Sequence, residues 1–275
     1  MRILVPTDFS ESSENGINAS ILLARKFDAD IQFLHCIELP RIWNWTPEHR
    51  ALINDIEELL RIQAEGKFES YKELLIDHNI TCDYTVSMND YLEVMEQEDT
   101  MAITDIVVIG AHGNKDKRPT WLGSHTKKVL RHINKNTLIV KNDIPNVNFE
   151  KVVYVTGLNV NEQKDFKSFL EFIAPFSVKE VHILCIDTFS YFTQPTVVME
   201  EALKDYKALV DGYEVYTNFY KDYSVNSGVK HYVEQHNIDL IGISNSHKHP
   251  IKRIFSGSNV ELVATDSDIP VLAIA

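Results

Sequence analysis

The chain has 275 residues, of which 44% are hydrophobic and 24% are charged, a composition typical of globular proteins. Asp and Glu number 40 against 27 Lys and Arg, which gives a formal net charge of −13. A charge of this sign repels phosphate backbones and anionic lipid, which argues against nucleic acid or a membrane surface as the main partner.

The cysteines and the apolar segments point to a reducing, aqueous compartment. Cys36, Cys82 and Cys185 are odd in number, far apart and without CxxC spacing, so neither a disulfide framework nor a zinc site is expected. No apolar run approaches the roughly 18 residues of a membrane span. The opening segment reaches Asp8 too early to serve as a signal peptide. We therefore expect a cytoplasmic protein.

Five strand-like segments alternate with four helical segments in the first half of the chain. In order they are RILVPT, a helix over about 12–27, IQFLHCIEL, a long helix, ITCDYTV, a helix near 90–98, DIVVIG, a helix over about 123–132, and TLIV. Strands that alternate with helices indicate βαβ units, and continuous β-branched runs indicate strands buried on both faces. The pattern predicts a parallel sheet with helices on both sides.

The second half repeats this order with KVVYVT, VHILCI, EVYTNFY, DLIGIS and PVLAIA. A repeat of this length indicates two copies of one domain, because the repeats of solenoids are several times shorter. Asn, Asp and Pro interrupt the pattern at 141–150. We expect two tandem Rossmann-like α/β domains, residues 1–143 and 150–275, each with a five-stranded, mainly parallel sheet. The two domains should pack as an intramolecular pseudo-dimer.

Two alignments relate the halves. A shift of 149 residues places Asp8 on Gly157 and Cys36 on Cys185, whereas a shift of 132 places Ile109-Gly110 on Ile241-Gly242. The difference predicts a second crossover that is 17 residues longer in the first half.

The extra residues of this crossover lie within RIWNWTPEHRALINDIEELLRIQAEG, where apolar residues recur at helical spacing from Ala51 onward. Pro47 is suited to the first turn of that helix. Trp43 and Trp45 precede it, and they either pack the helix onto the domain or belong to a lid or a dimer contact. The sequence leaves these alternatives open.

Three glycines stand at and after the end of the fourth predicted strand. Gly110 ends the strand, Gly113 comes after two residues, and Gly123 and Ser124 open the next helix after nine more. Glycine lets the backbone approach a ligand, and the free N–H groups of a helix N-terminus favour anions. A phosphate site is one interpretation, and glycines required only by turns are the other.

Asp8 also has two interpretations. At the end of the first strand, its carboxylate could accept from a ribose hydroxyl or the adenine amine, or hold a divalent cation beside phosphates. Alternatively, Asp8 or Ser10 caps the first helix, since both residue types are favourable there.

The motif GxxGx9GS, placed between DIVVIG and a helix, resembles the ATP-binding signature of the universal stress protein family. The opening VPTDFS, the LHCIE strand and the tandem arrangement resemble the same family. This resemblance implies a Rossmann-like fold that binds ATP or another adenine nucleotide. It implies further that Pro6, Thr7 and Asp8 line the adenosine end and that Cys36 touches adenine, while the phosphates lie against Gly110, Gly113, Gly123 and Ser124. His112 lies within the glycine loop, where it either contacts phosphate or is an ordinary surface histidine.

The second half departs from this motif. Under the shift of 132 residues, Gly242 is retained, Asn245 replaces the second glycine, and Gly257-Ser258 arrives two residues late. Because Asp8 is also replaced, by Gly157, we expect a degenerate second site.

Catalytic motifs are absent from the sequence. The chain has no GxxxxGK[ST], no GxGxxG after the first strand and no GxSxG. We therefore expect a nucleotide-binding stress-response or signalling protein with slow or no hydrolysis. The alternatives are a slow ATPase or nucleotide-transfer enzyme that uses Asp8, His112 and a metal, and an interaction scaffold with vestigial sites. The sequence leaves open whether Mg²⁺ or Mn²⁺ accompanies the nucleotide and whether two chains form a homodimer.

Overall fold

The structure is a computed structural model that describes residues 1–37, 47–88, 90–111, 124–144, 148–159, 162–188, 196–245 and 259–275. Its strands are β1 (Arg2–Pro6), β2 (Asp30–Cys36), β3 (Cys82–Ser87), β4 (Ile106–Gly110), β5 (Asn136–Val140), β6 (Lys151–Val155), β7 (Glu180–Thr188), β8 (Glu214–Asp222), β9 (Leu240–Ser244) and β10 (Val271–Ile274). Its helices are α1 (Glu11–Phe27), α2 (Pro47–Ile76), α3 (Tyr91–Met95), α4 (Glu98–Ala102), α5 (Ser124–His132), α6 (Glu162–Ile173), α7 (Thr196–Lys207), α8 (Val225–His236) and α9 (Asn259–Asp266).

All ten strands belong to one sheet, in the order β3-β2-β1-β4-β5-β10-β9-β6-β7-β8. The first five strands form one end of the sheet and the last five form the other, in matching order. Strands within each half pair in parallel, and the halves join through the antiparallel pair β5 and β10. The predicted fold class of two tandem Rossmann-like domains is confirmed.

Strand β1 shows how helices come to lie on both faces of the sheet. Ile3 and Val5 pack in one apolar cluster with residues of α1 and α2, whereas Leu4 belongs to a second cluster with residues of α3 and α5. Successive side chains of a strand point to opposite faces, so a fully apolar strand needs cover on both sides. The prediction of strands buried on both faces is correct for β1 and for the other inner strands β4, β5, β6, β9 and β10. It is wrong for the edge strands β3 and β8, which keep exposed residues because each has a neighbouring strand on one side only.

The helix predicted near 90–98 is interrupted. The chain forms two short helices there instead, α3 capped by Asp90, whose carboxylate accepts from the N–H of Leu92, and then α4. The long helix of the crossover does begin at Pro47, as predicted. Trp43 and Trp45 lie outside the described residues.

Strand pairing measures the length of the crossover that contains α2. Ile31 of β2 pairs with Cys82 of β3, 51 positions further on, and Val181 of β7 pairs with Val215 of β8, 34 positions further on. The crossover is therefore 17 residues longer in the first half, as the sequence predicted.

The same pairing corrects one alignment of the halves. Ile3 pairs with Ile106, and Val152, which is 149 positions after Ile3, pairs with Leu240. Strand β9 thus follows β4 by 134 positions, so the predicted shift of 132 is wrong by two residues. Short apolar strands align almost equally well in neighbouring registers, whereas backbone pairing fixes one.

In the corrected register, Ser244 corresponds to Gly110, and Gly242 does not. Gly257-Ser258 falls on Gly123-Ser124 with no delay, so the expected change in loop length is also wrong. The second half keeps the spacing to its Gly-Ser pair and loses the glycine that ends the fourth strand.

The second strands align one residue further along than predicted. Arg2 pairs with Asp30 and Lys151 with Glu180, so β7 follows β2 by 150 positions. The residue that matches Cys36 is therefore Ile186, and the predicted match with Cys185 is wrong.

An ion pair crosses the junction between the halves beside β5 and β10. The guanidinium of Arg131 on α5 donates to both carboxylate oxygens of Glu261 on α9, each at 2.8 Å. The side chain of Glu261 is 5% exposed and that of Arg131 is 30% exposed. A two-pronged contact of this kind fixes orientation as well as distance.

None of the helices in the described part of the chain combines the length and the apolarity that a bilayer span requires.

We expect Arg131→Ala to lower the free energy of unfolding by about 1–2 kcal/mol, because it removes two charge-assisted hydrogen bonds to the buried carboxylate of Glu261. Lys128→Ala is the matched control, since Lys128 pairs with Asp90 within the first half and is half exposed. That change should cost less than about 0.5 kcal/mol. Urea titrations of both variants measure the difference, and equal losses would contradict a special role for the junction pair.

We also expect stability to fall in mild acid because of His182, which is buried in β7. Its Nδ1 contacts the hydroxyl of Tyr232 at 2.7 Å and its Nε2 lies 3.2 Å from Glu180. Burial lowers the pKa of His182, although the hydrogen bond that the ring forms to the carboxylate of Glu180 acts to raise it. The unfolded chain therefore takes up a proton near pH 6.5 before the folded chain does, so stability is full above that pH and declines below it.

The control for this pH dependence is His182→Gln, because Gln32 occupies the matching position of β2. Urea midpoints measured between about pH 7.5 and pH 5 should depend less on pH in the variant than in the wild type. Parallel curves for the two proteins would show that another group causes the dependence.

Candidate functional site

A cleft opens at the carboxyl ends of β1 and β4, which are neighbours in the sheet. The chain leaves β1 through α1 toward β2 and leaves β4 toward β5 in the opposite direction, so this point is a topological switch. Ligands of open α/β sheets bind at such points. The cleft is lined by residues of β1, α1, α3, β4 and α5, namely Pro6, Thr7, Asp8, Ser12, Ser13, Tyr91, Ile109, Gly110, Ala111, Thr126 and Val129.

Thr7 holds the turn that leads out of β1. Its buried hydroxyl donates to Ser13 Oγ at 3.0 Å and accepts from the N–H of Phe9, also at 3.0 Å. Its carbonyl accepts from the hydroxyl of Tyr91 at 2.6 Å and lies 2.8 Å from Nδ1 of His35. These contacts fix the backbone on either side of Asp8.

Asp8 follows this turn with its carboxylate exposed to the cleft. Partial burial raises the pKa of Asp8, but hydrogen bonds from Ser10 and Ser13 outweigh burial, so the pKa lies below its usual value. The side chain is therefore an anion at neutral pH.

The structure also decides which residue caps α1. Ser10 is the N-cap, and its hydroxyl accepts from the N–H of Ser13, while Asp8 accepts from the N–H of Ser10. The interpretation of Asp8 itself as the helix cap is therefore wrong.

Gly110 ends β4 against the first turn of α1. A Cβ at this position would lie 1.9 Å from the carbonyl oxygen of Ser12, and a Cβ on Gly16 would lie 2.5 Å from the nitrogen of Gly110. The two glycines thus allow α1 to approach the end of β4 closely. Packing alone explains Gly110, and the same close approach brings the Ser12 and Ser13 region to the cleft.

Helix α5 begins at Ser124, on the far side of the cleft. Thr126, in its first turn, is buried and lines the cleft. Lys128 binds Asp90 at 2.8 Å and so ties α5 to the cap of α3. The N-terminus of α5 therefore faces the cleft, although the side chain of Ser124 is outside the described part of the structure.

The other predicted residues divide into two groups. Pro6, Thr7, Asp8 and Gly110 meet at the cleft. Cys36 is buried with Leu4, Leu34 and Tyr91 in the apolar cluster behind it and is not among the lining residues. The predicted phosphate residues His112, Gly113 and Gly123 lie outside the described residues.

Sequence reasoning missed several lining residues, above all Tyr91 and Thr126. Tyr91 directly follows the capping residue of α3, and Thr126 is two residues after the predicted Ser124. A signal existed for Ser12 and Ser13, since a serine-rich first turn follows the first strand and supplies hydroxyls near Asp8. Nothing in the local pattern distinguishes Tyr91 from an ordinary core aromatic.

The matching place in the second half is filled by the chain itself. Glu162 stands where the first half has Ser13, and its carboxylate accepts from Thr156 Oγ1 at 2.7 Å and from the N–H of Gly157 at 2.9 Å. The amide of Asn159 donates to its other oxygen, also at 2.9 Å. An internal carboxylate thus occupies the turn that corresponds to the Asp8 turn.

In the second half, a hydrogen-bonded pair of polar residues replaces the close contact of the two glycines. Gly16 and Gly110 correspond to Asp165 and Ser244, and the hydroxyl of Ser244 donates to Asp165 at 2.5 Å. Phe9 and Leu158 keep the same left-handed backbone, with φ of 60° in both turns. The two halves therefore share a backbone turn and differ in the groups that surround it.

The described residues contain no group of three or more His, Cys, Asp or Glu side chains that could hold a metal ion.

Comparisons with known proteins agree with this architecture. The family model described as "Universal stress protein family" matches residues 1–141. The universal stress protein MJ0577 of Methanocaldococcus jannaschii is 26% identical over 153 residues, which cover 51% of this chain and 94% of that protein.

Two solved structures resemble the whole chain. A universal stress protein from Archaeoglobus fulgidus superposes with a TM-score of 0.74 at 17% identity, covering 99% of this chain and 97% of that one. A protein from Pseudomonas aeruginosa described as a putative universal stress protein has a TM-score of 0.65 at 13% identity, covering 99% and 92%. The two solved structures show that the fold is shared, and the family model shows the family to which the chain belongs. The chain belongs to the universal stress protein family.

Proposed function

We propose that this chain is a stress-response or signalling protein that binds ATP or another adenine nucleotide in its first half, with slow or no hydrolysis. The observation that carries the proposal is the cleft at the β1 and β4 switch point, which joins an ionised carboxylate, several hydroxyls and a helix N-terminus. The glycine motif that follows β4 supports it, because the family's ATP-binding signature has the same spacing.

Each group at the cleft has a role in this proposal. The carboxylate of Asp8 accepts from a ribose hydroxyl or holds a divalent cation beside the phosphates, since its backbone is fixed by the contacts of Thr7. The first turn of α5 directs N–H groups at the phosphates, and Thr126 adds a hydroxyl. Mg²⁺ or Mn²⁺ would offset charge between the phosphates and Asp8.

We propose that the second half does not bind nucleotide. Glu162 already accepts the hydrogen bonds of the turn at Gly157, and a second anion brought beside it would meet like charge in a partly buried place. Asp165, bonded to Ser244, adds another acidic group where the first half has only glycine. One nucleotide per chain follows.

The residue types that line the cleft also support the proposal that ATP hydrolysis is slow or absent. None of its described lining residues is Lys, Arg or His. Backbone donors and hydroxyls bind ground-state phosphates, but binding substrate and transition state equally gives affinity without lowering the barrier. The alternative of a slow ATPase depends on Asp8 and on His112, and turnover measurements distinguish the two functions.

We expect calorimetry with ATP and Mg²⁺ to give one site per chain. Asp8→Ala should weaken affinity about tenfold, because it removes one charge-assisted hydrogen bond or one metal contact. Glu162→Gln is the matched control in the second half and should leave affinity unchanged. Two equal sites per chain, or an unaffected Asp8→Ala variant, would contradict the proposal.

We expect phosphate release at saturating ATP and Mg²⁺ to be far below the roughly 1–100 s⁻¹ of kinases. The reason is that no Lys, Arg or His is among the described lining residues and that the lowered pKa of Asp8 makes its carboxylate a weak base. Turnover of several per second that is lost in both Asp8→Ala and Ser124→Ala would favour the enzyme. Absence of nucleotide binding by the wild type would instead favour an interaction scaffold with a vestigial site.

A further inference from the structure

A cavity of about 240 Å³ lies between α8 and α9 in the second half of the chain. Its floor is apolar and is formed by Val229, Val233, Ile238, Ile241, Val263 and Ile269. Its rim includes the exposed residues Lys230, Glu234 and Asp268. A concave apolar pocket with a few polar groups at its mouth is the usual form of a small-molecule site.

The cavity is separate from the cleft at β1 and β4. Asn237 and Ile238, which line it, precede β9, and Asp268 and Ile269 precede β10. The cavity and the cleft share no described lining residue. Its use therefore does not depend on the proposed binding of nucleotide in the first half.

The first half fills the place that matches the cavity. Asp90 and Ser224 are the N-caps of α3 and α8, and they lie 134 positions apart, as β4 and β9 do. Met95 of α3 therefore corresponds to Val229 of α8. Met95 is completely buried, so its longer side chain occupies the space that valine leaves open in the second half.

A second replacement enlarges the same space. Met95 packs in one apolar cluster with Val107, Val129 and Ile133. The residues that match the last three all line the cavity, and Ser267 stands in place of Ile133. An unfilled cavity lowers stability, and the first half shows that this fold can fill it. The open space in the second half therefore points to a ligand.

Two helix ends make the rim favourable to a cation. Helix α8 ends beside Asn237 and α9 ends at Asp266, and both residues line the cavity. The last carbonyl groups of a helix carry a partial negative charge and accept hydrogen bonds. One ammonium group already lies in this setting, since Lys141 donates to the carbonyl oxygen of Thr265 in the last turn of α9.

The charged side chains leave one carboxylate in excess. The acidic lining residues are Glu234, Asp266 and Asp268, and the basic one is Lys230. Burial lowers the pKa of Lys141, and the nearby carboxylates of Asp266 and Asp268 act to raise it, so this ammonium offsets part of their charge. Within the described part of the chain, Glu234 belongs to no ion pair. Its carboxylate is available to a ligand.

We propose that the cavity binds a small primary amine, with the apolar body of the ligand on the floor and its ammonium group at the rim. An apolar cavity of roughly 150 Å³ holds a benzene ring, so a volume of about 240 Å³ has room for a ring with a short side chain. The net charge of −13 also attracts cations and repels anions. The ligand class is therefore an alkylamine or an arylalkylamine.

Methyl NMR of the full chain, titrated with phenethylamine, tests this assignment. The amine is protonated at neutral pH and suits the cavity in size. Isotope-labelled methyl groups of the floor, such as those of Val263 and Ile269, should shift. Phenethyl alcohol has the same shape without the charge and should bind about fivefold more weakly, and the anion phenylacetate should bind more weakly still.

Val229→Met should weaken the binding of phenethylamine at least about tenfold, because it introduces the side chain that fills the matching place in the first half. Leu262→Met is the matched control. Leu262 is 44% exposed on α9 and is not a lining residue, so the same side chain is added outside the cavity. Thermal midpoints of the two variants show whether both fold as the wild type does.

Glu234→Gln separates recognition of charge from recognition of shape. The substitution should weaken the binding of phenethylamine about threefold and leave that of phenethyl alcohol unchanged. A general disturbance of the cavity would weaken both probes equally and would contradict the role of Glu234.

The assignment is overturned if the floor methyl groups shift with none of the probes, or if Val229→Met binds phenethylamine as tightly as Leu262→Met does. Equal affinity of the wild type for the amine and for either of the other probes would overturn the ligand class. Displacement of phenethylamine by ATP and Mg²⁺ would place the probe in the cleft of the first half. A chain that binds no ATP would still be expected to bind the amine, so failure of the proposed nucleotide site is distinguishable from failure of this one.

Discussion

The antiparallel pairing of β5 with β10 is the contact on which the rest of the molecule depends. Without it, each five-stranded half would expose an apolar edge strand, the kind of surface that recruits other chains. Pairing the two edges makes one ten-stranded sheet whose outer strands are β3 and β8. It also lets the apolar clusters continue from one half into the other, since one cluster contains both Leu130 and Ile241. The two halves therefore share one sheet and one continuous apolar cluster, and each stabilises the other.

Because each half stabilises the other, only one of them has to keep an open binding site. The first half keeps Gly16 and Gly110 in close contact, which leaves an open cleft beside the carboxylate of Asp8. The second half has Asp165 and Ser244 in the same places and fills the turn with Glu162. Filling a cleft with hydrogen bonds stabilises a fold, whereas leaving it open preserves groups for a ligand. The same backbone thus supports two different uses.

The sequence predicted the order of elements and the fold class because both depend on the periodicity of apolar residues, which is local. It placed the ends of β1 and β4 correctly and so found Asp8 and Gly110. It misjudged the register of β4 against β9 by two residues and of β2 against β7 by one, because hydrogen bonds between distant strands decide register. Tyr91 and Thr126 were missed for a related reason. They reach the cleft only through the packing of α3 and α5 across β4, and no local pattern records that packing.

The junction of the halves also specifies which surfaces pair. In the register of the structure, Lys127 of α5 corresponds to Glu261 of α9, and the carboxylate of Glu261 receives Arg131. If the second half were exchanged for another first half, Arg131 would face a lysine at that place instead of a carboxylate. Like charges in a partly buried contact disfavour association, so the junction selects the two halves of one chain over two first halves. Because β5 and β10 already pair within the chain, a second copy could use either edge only by breaking the junction of the halves.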